Sequence, residues 1–214
     1  MLIAEAPRNC PKCPRLVTYR KENKVKEPNW FNGAVPSFGA DDAYFLIVGL
    51  APGRKGANRT GRPFTGDFAG EWLYKALAKY GFSQGTYAAR PDDGLTLRGT
   101  MITNAVRCVP PQNSPNGMEK KMCRDFLQAR LASLANLKII LALGGIAHNS
   151  IIATLGLKQK DFPFTHGKRH DIKHATGNYT LYDSYHCSRY NVSTKVLTEK
   201  MFFAVFERIK KQLA

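Results

Sequence analysis

One short run constrains the fold of this 214-residue chain more than any other: KIILALG, from Lys138 to Gly144, is apolar at almost every position. A strand that is apolar on both alternating faces must be covered on both sides, as in a parallel sheet held between helices. Three further runs rich in β-branched and aromatic residues read as its partners: Tyr44 to Leu50, Thr100 to Val106 and Tyr179 to His186. Helical spacing occupies the intervals, at Leu73, Leu77 and Tyr80, at Met118, Met122, Phe126 and Leu134, from Ile146 to Leu155, and from Phe202 to Leu213. The alternation predicts the α/β class, as a three-layer α/β/α sandwich around a mainly parallel, four-stranded central sheet. Ligand loops then lie beyond the carboxyl ends of the strands, starting near Gly49, Arg107, Gly144 and His186. The stretch from Asn23 to Ala40 reads as a long ordered loop rather than a linker, so residues 1–214 are expected to form one domain.

Lys and Arg number 32 against 16 Asp and Glu, a net charge of +16, while 43% of residues are hydrophobic and 11% aromatic. That balance describes a folded domain with surplus cations rather than a disordered basic tail. Its expected partner is a polyanion, of which nucleic acid is the commonest. No apolar run approaches the ~18–20 residues needed to span a bilayer, and the first ten residues lack a signal-peptide pattern. The sequence therefore predicts no membrane partner and a cytoplasmic, intracellular and nucleoid-associated location.

Five cysteines in a reducing compartment argue against a disulfide framework. Cys10 and Cys13 form C-P-K-C, Cys108 follows the second strand, and Cys123 lies 15 positions further on a predicted helix. Four thiolates gathered from three places suit either a tetrahedral zinc or a cubane iron–sulfur cluster, and spacing does not separate the two. The plainer reading makes Cys10 and Cys13 a redox or chance pair and Cys123 a core thiol. Cys187 is left over as a packed thiol.

The segment GLAPGRKGANRTGRPFTGDFAG, Gly49 to Gly70, follows the first strand and is neither a dinucleotide fingerprint nor a nucleotide-binding P-loop. It closely resembles the first motif of the iron–sulfur uracil-DNA glycosylases, specifically family 5. The other pieces fall in order: C-x2-C, then T-N-A-V-R-C-V-P-P-Q-N at 103–113, the cysteine 15 positions on, and S-Y-H-C-S-R-Y-N at 184–191. The similarity runs from about residue 10 to about residue 210.

On this resemblance the fold is uracil-DNA glycosylase-like, and Cys10, Cys13, Cys108 and Cys123 become the ligands of a 4Fe-4S cluster rather than of zinc. The implied activity is that of a monofunctional glycosylase which flips uracil from DNA and hydrolyses its N-glycosidic bond, with DNA containing uracil or another deaminated base as partner. Such an enzyme needs a flat surface for the flipped base and a donor for the anion that departs. Phe64 matches the stacking position and His186 the donor. Asp67 closes the first motif as the residue that orients water, and Asn113 is implicated in positioning the same water. Gly49, Ala51, Gly53, Asn104 and Asn191 fall where the base pocket is lined. Arg59, Arg62, Ser188 and Arg189 are candidates for backbone phosphates, and Tyr190 or Arg189 for a wedge into the vacated stack. His148, His166, His170 and His174 are assigned no role.

Two departures bear on chemistry. Asn104 stands where family 5 commonly has a small residue; its amide can read the Watson–Crick edge of uracil, which predicts a narrower substrate range. Leu50 stands where family 4 carries an acidic residue, which moves the water-orienting duty to Asp67. After Asn191, Thr194-Lys195-Val196 replaces the usual T-G-R. The rival from another class is a non-catalytic iron–sulfur nucleic-acid-binding protein on the same fold. A Ser/Cys–His hydrolase built on Cys187 or Ser188 lacks a nucleophile elbow. A monomer is expected, and a sliding-clamp contact stays open.

Overall fold

The computed structural model describes residues 4–214. Its elements run α1 (Pro14–Lys26), β1 (Phe38–Gly39), β2 (Phe45–Gly49), α2 (Ala57–Thr60), α3 (Phe68–Lys79), β3 (Ser83–Gln84), β4 (Thr96–Leu97) and β5 (Thr100–Asn104). Then follow α4 (Gly117–Ser133), β6 (Ile139–Leu143), α5 (Gly145–Thr154), β7 (Arg169–His174), β8 (Gly177–Ser184), α6 (Arg189–Ser193) and α7 (Glu199–Leu213).

The main sheet has the order β1-β5-β2-β6-β8-β7, and its four inner strands β5, β2, β6 and β8 are mutually parallel. These are the four strands that hydrophobic pattern predicts. The sheet is nevertheless six-stranded, because β1 and β7 add antiparallel edges. Neither edge carries a strong signal: β1 is two residues long, and in RHDIKH of β7 only His170 and Ile172 are buried. A further two-stranded ribbon joins β3 to β4.

Alternate residues of β2 divide the core. Phe45 and Ile47 join Leu73, Leu77, Phe202 and Phe206 of α3 and α7 on one face. Leu46 and Val48 meet Leu127, Leu131, Ile151 and Ile152 of α4 and α5 on the other. The three layers are therefore formed as the apolar run of β6 requires. Helix α1 escapes the periodicity argument because only Leu16, Arg20 and Asn23 are buried on it. It is docked by polar contacts and cysteines rather than by an apolar stripe.

Because the inner strands run parallel, their carboxyl ends emerge together. Gly49 of β2 pairs in register with Asn104 of β5, and Leu143 of β6 with Ser184 of β8. The loops leaving Gly49, Asn104 and Ser184 build the site.

Candidate active site

A cavity of about 390 Å³ opens at this end, lined among others by Phe64, Asp67, Asn104, Asn113 and His186. Its floor depends on two glycines. A Cβ at Gly49 would lie 2.5 Å from Asn104 Oδ1 and 2.7 Å from the Phe64 ring, so the bare Cα is what lets amide and ring meet there. At Gly70 a Cβ would lie 1.9 Å from the Phe64 carbonyl oxygen, so α3 can begin against the turn only through glycine.

That turn places Phe64 at φ 51°, a left-handed backbone that bulky residues avoid. It is fixed from outside: the Tyr87 hydroxyl donates to the Phe64 carbonyl at 3.4 Å and accepts from the Gly66 amide at 3.1 Å, while its ring stacks on Tyr74. Strain held by its surroundings is a common property of functional loops. Asn113, exposed at the cavity mouth, has φ 54° for its part.

His186 follows β8, and its ring centroid lies 5.9 Å from that of Phe64, inclined by 31°. Burial pushes its pKa below the ordinary histidine value, against the pull of the Asp67 carboxylate, so the ring is neutral near pH 7. Asp67 caps α3, where one carboxylate oxygen accepts from the Gly70 amide at 3.0 Å. The other oxygen faces Gly53 and Gly56; a Cβ on Gly56 would lie only 2.1 Å from it. Asn104 is 3% exposed, and its amide borders the cavity instead of being used elsewhere in the fold as those of Asn58 and Asn191 are.

Most of the sequence-derived set thus converges: Ala51, Gly53, Phe64, Asp67, Asn104, Asn113, His186, Ser188 and Arg189 all line this cavity. Gly49 lies beneath it. Two residues need correction. Asn191, expected in the base pocket, is not among the lining residues; its amide donates to the His186 carbonyl at 2.8 Å and its backbone N–H to Ser188 Oγ, so it positions the histidine loop. Arg62, expected on phosphate, makes two bonds to Asp93 at 2.7 and 2.8 Å, with the paired side chains 5% and 1% exposed. Its guanidinium also lies over Phe38, Tyr74 and Tyr87. It supports the turn and has no face left for DNA. By contrast Arg59 is exposed, Arg189 lies over Phe68 at the rim, and Tyr190 is 74% exposed.

Sequence reasoning also missed a buried cluster beneath the histidine loop. His148 reaches Asp183 at 2.7 Å with one ring nitrogen and the Phe162 carbonyl at 2.7 Å with the other, and His170 reaches the same carboxylate at 3.0 Å. Asp183 further accepts from the Thr165 amide, and His166 Nδ1 accepts from the Tyr185 amide. The 162–166 loop is thereby tied to the residue before His186. No pattern announces this; the three partners lie on separate elements. Cys187 is fully buried, and burial pushes its thiol far up, so it is no nucleophile.

Cys10, Cys13, Cys108 and Cys123 line a second, apolar cavity with Leu16, Val106 and Phe126. Burial pushes Cys13 up to about 11 and Cys123 up to about 12, so four thiolates there require a cationic centre. Among the described residues the one trio whose ligating atoms all lie within 4.8 Å of each other is His148, His170 and Asp183. Arg20 donates to Cys108 Sγ at 3.0 Å and the Arg107 amide to Cys123 Sγ at 3.3 Å.

The carboxyl ends of the parallel strands thus bring an aromatic ring, a buried amide and a neutral histidine to one cavity. A family model described as the uracil DNA glycosylase superfamily matches residues 36–210, and the chain belongs to that superfamily. Within it the chain is similar to the type-5 uracil-DNA glycosylase of Thermus thermophilus, 40% identical over 208 residues, covering 94% of this chain and 93% of the relative. The type-5 enzyme of Pyrobaculum aerophilum is 37% identical, over 94% of this chain and 87% of the relative. The type-4 enzyme of the same organism is 32% identical, over 86% and 80%.

Proposed function

We propose that this protein is a monofunctional DNA glycosylase that removes uracil from DNA and leaves an abasic site, as a step of base excision repair. The observation that carries the reading is the shared cavity of Phe64 and His186, 5.9 Å apart between ring centroids. Their separation on opposite sides of the molecule would have ended it.

A base within a duplex must be extruded, at a cost of a few kcal/mol that a G·U mismatch reduces. The flipped pyrimidine lies on the Phe64 ring, a contact worth ~1–3 kcal/mol. The Asn104 amide donates to O4 and accepts from N3–H; hypoxanthine offers the same pair at O6 and N1–H, so discrimination against it rests on the larger purine ring system failing to bring that edge into register with the amide. As the C1′–N1 bond breaks, the electron pair leaves with the base, and an N–H of neutral His186 donates to the charge gathering on O2. Asp67, held by its capping bond, orients water toward C1′ and accepts its proton, with Asn113 as second water ligand. The anionic base takes up a proton after departure. No lysine stands in the cavity lining, so no Schiff base forms and the strand stays uncut.

The apolar cavity that Cys10, Cys13, Cys108 and Cys123 line together suits a 4Fe-4S cluster, which would tie the N-terminal segment, the loop after β5 and α4 together as one brace. Arg59, Ser188 and Arg189 contact backbone phosphates, and Tyr190 is the exposed wedge. Among the described residues no helix is long and apolar enough to cross a membrane. We assign the whole chain to one domain, acting as a monomer on the nucleoid.

The test is incubation with a uracil-containing oligonucleotide followed by alkali. Strand breaks at uracil, absent without alkali, are the expected result. Uncut strands from folded, brown protein would favour a non-catalytic nucleic-acid-binding role.

A further inference from the structure

Several cations without a carboxylate partner meet on one concave surface. Arg15, Arg54, Arg62, Arg107 and Arg130 each face an acidic side chain. Arg8, Arg20, Lys21 and Lys24 have no such partner among the described residues, and all four line one groove of about 470 Å³ between α1 and the 28–33 loop. No acidic residue lines it. Arg20 points inward to Cys108 Sγ and the Cys10 carbonyl, so Arg8, Lys21 and Lys24 are the exposed charges. Arg8 lies over the Phe31 ring and donates to the Phe31 carbonyl at 2.8 Å, and Lys24 donates to the Pro28 carbonyl; both bonds aim a charge without neutralising it.

Like charges gathered on a concave wall raise each other's energy and focus a positive potential, which a run of phosphates discharges. The groove wall is also bonded to the segment that lines the base cavity at Ala57. The Phe31 amide donates to the Arg59 carbonyl and the Asn32 amide to that of Asn58, both at 3.0 Å, and the Asn58 side chain donates to Asn32. The groove wall is thereby stitched to α2, from which exposed Arg59 projects. We infer that this groove seats the sugar–phosphate backbone of DNA to one side of the flipped base, as a second contact surface built by the cysteine-bearing segment. The inference rests on the glycosylase reading given above.

The test measures binding of a fluorescent, uracil-free duplex that overruns the cavity on both sides, across a range of salt concentrations. The proteins are the wild type, Lys21→Ala/Lys24→Ala, and Lys160→Ala/Lys173→Ala, whose equal charge loss lies elsewhere. Each lysine–phosphate contact adds about 0.9 to the slope of log affinity against log salt, so the groove variant should lose about 1.8. The control variant should keep the wild-type slope, and Lys21→Arg/Lys24→Arg should restore it. An unchanged slope in the groove variant, or an equal fall in the control, would overturn the assignment. Because the duplex holds no uracil, the result is independent of excision: a wild type that shows the groove effect but leaves uracil in place would defeat the glycosylase reading and not the groove.

Discussion

Asp67 caps α3 and, on the proposed mechanism, orients water, two duties that a pair of substitutions can pull apart. One carboxylate oxygen caps α3 through the Gly70 amide at 3.0 Å, and the other faces Gly53 and Gly56 beside the cavity. Asparagine serves as an N-cap about as well as aspartate, whereas alanine loses the cap at a cost of about 0.5–2 kcal/mol. For a protein of this size each kcal/mol moves the midpoint of thermal unfolding by roughly 2–4 °C. Asp67→Asn should therefore melt within about a degree of wild type, and Asp67→Ala roughly 1–8 °C lower. Both remove the proton acceptor, so single-turnover excision with enzyme in excess should fall by about 10²–10⁴ in each. Affinity for uracil-containing DNA should change far less, since no phosphate contact is lost. Near wild-type excision by Asp67→Asn would refute the water-orienting role. Equal losses of binding and rate would instead make the residue a determinant of affinity.

Four further outcomes are expected. Gly49→Ala drives a methyl into the Asn104 amide and the Phe64 ring, so it should cost about 1–3 kcal/mol in chemical denaturation and abolish most excision; full activity would show that the floor yields. Asn104→Ala should raise the rate on hypoxanthine relative to uracil in parallel single-turnover assays, and an unchanged ratio would remove the edge-reading argument. Cys123→Ser should cost the purified protein its brown absorbance and lower its melting temperature, while full colour would exclude it as a ligand. His186 has a lowered folded-state pKa, so its contribution to stability is complete above its unfolded value of about 6.5 and is lost as pH falls through the folded value. Urea titrations on either side of that value should show a smaller acid loss for His186→Gln than for wild type.

The inner sheet and its ligand end were legible because both follow from local pattern. Four apolar runs give four parallel strands, and a parallel sheet has one end for loops. That Phe64, His186, Asn104 and Asp67 would meet in one cavity was legible from motif, since each lies near a strand end or helix start. The errors share one cause, which is that long-range pairing leaves no local trace. Nothing near Arg62 shows that Asp93, 31 positions on, will take its guanidinium. Nothing near Asn191 shows that its amide turns back to the histidine carbonyl. The same holds for His148, His170 and Asp183, and for α1, whose few buried residues are held by thiols and hydrogen bonds.

Phe64 is fixed from the side of α3 and Tyr87, while Asn104 belongs to β5, and only the bare Cα of Gly49 separates them. On the proposed reading, the face and the edge of a nucleobase are thus met by independently mounted parts. Base preference can consequently drift by exchange of one side chain at the end of β5 while the stacking surface stays as it is. Enzymes of this build are in that respect predisposed to diversify toward other lesions without rebuilding the pocket.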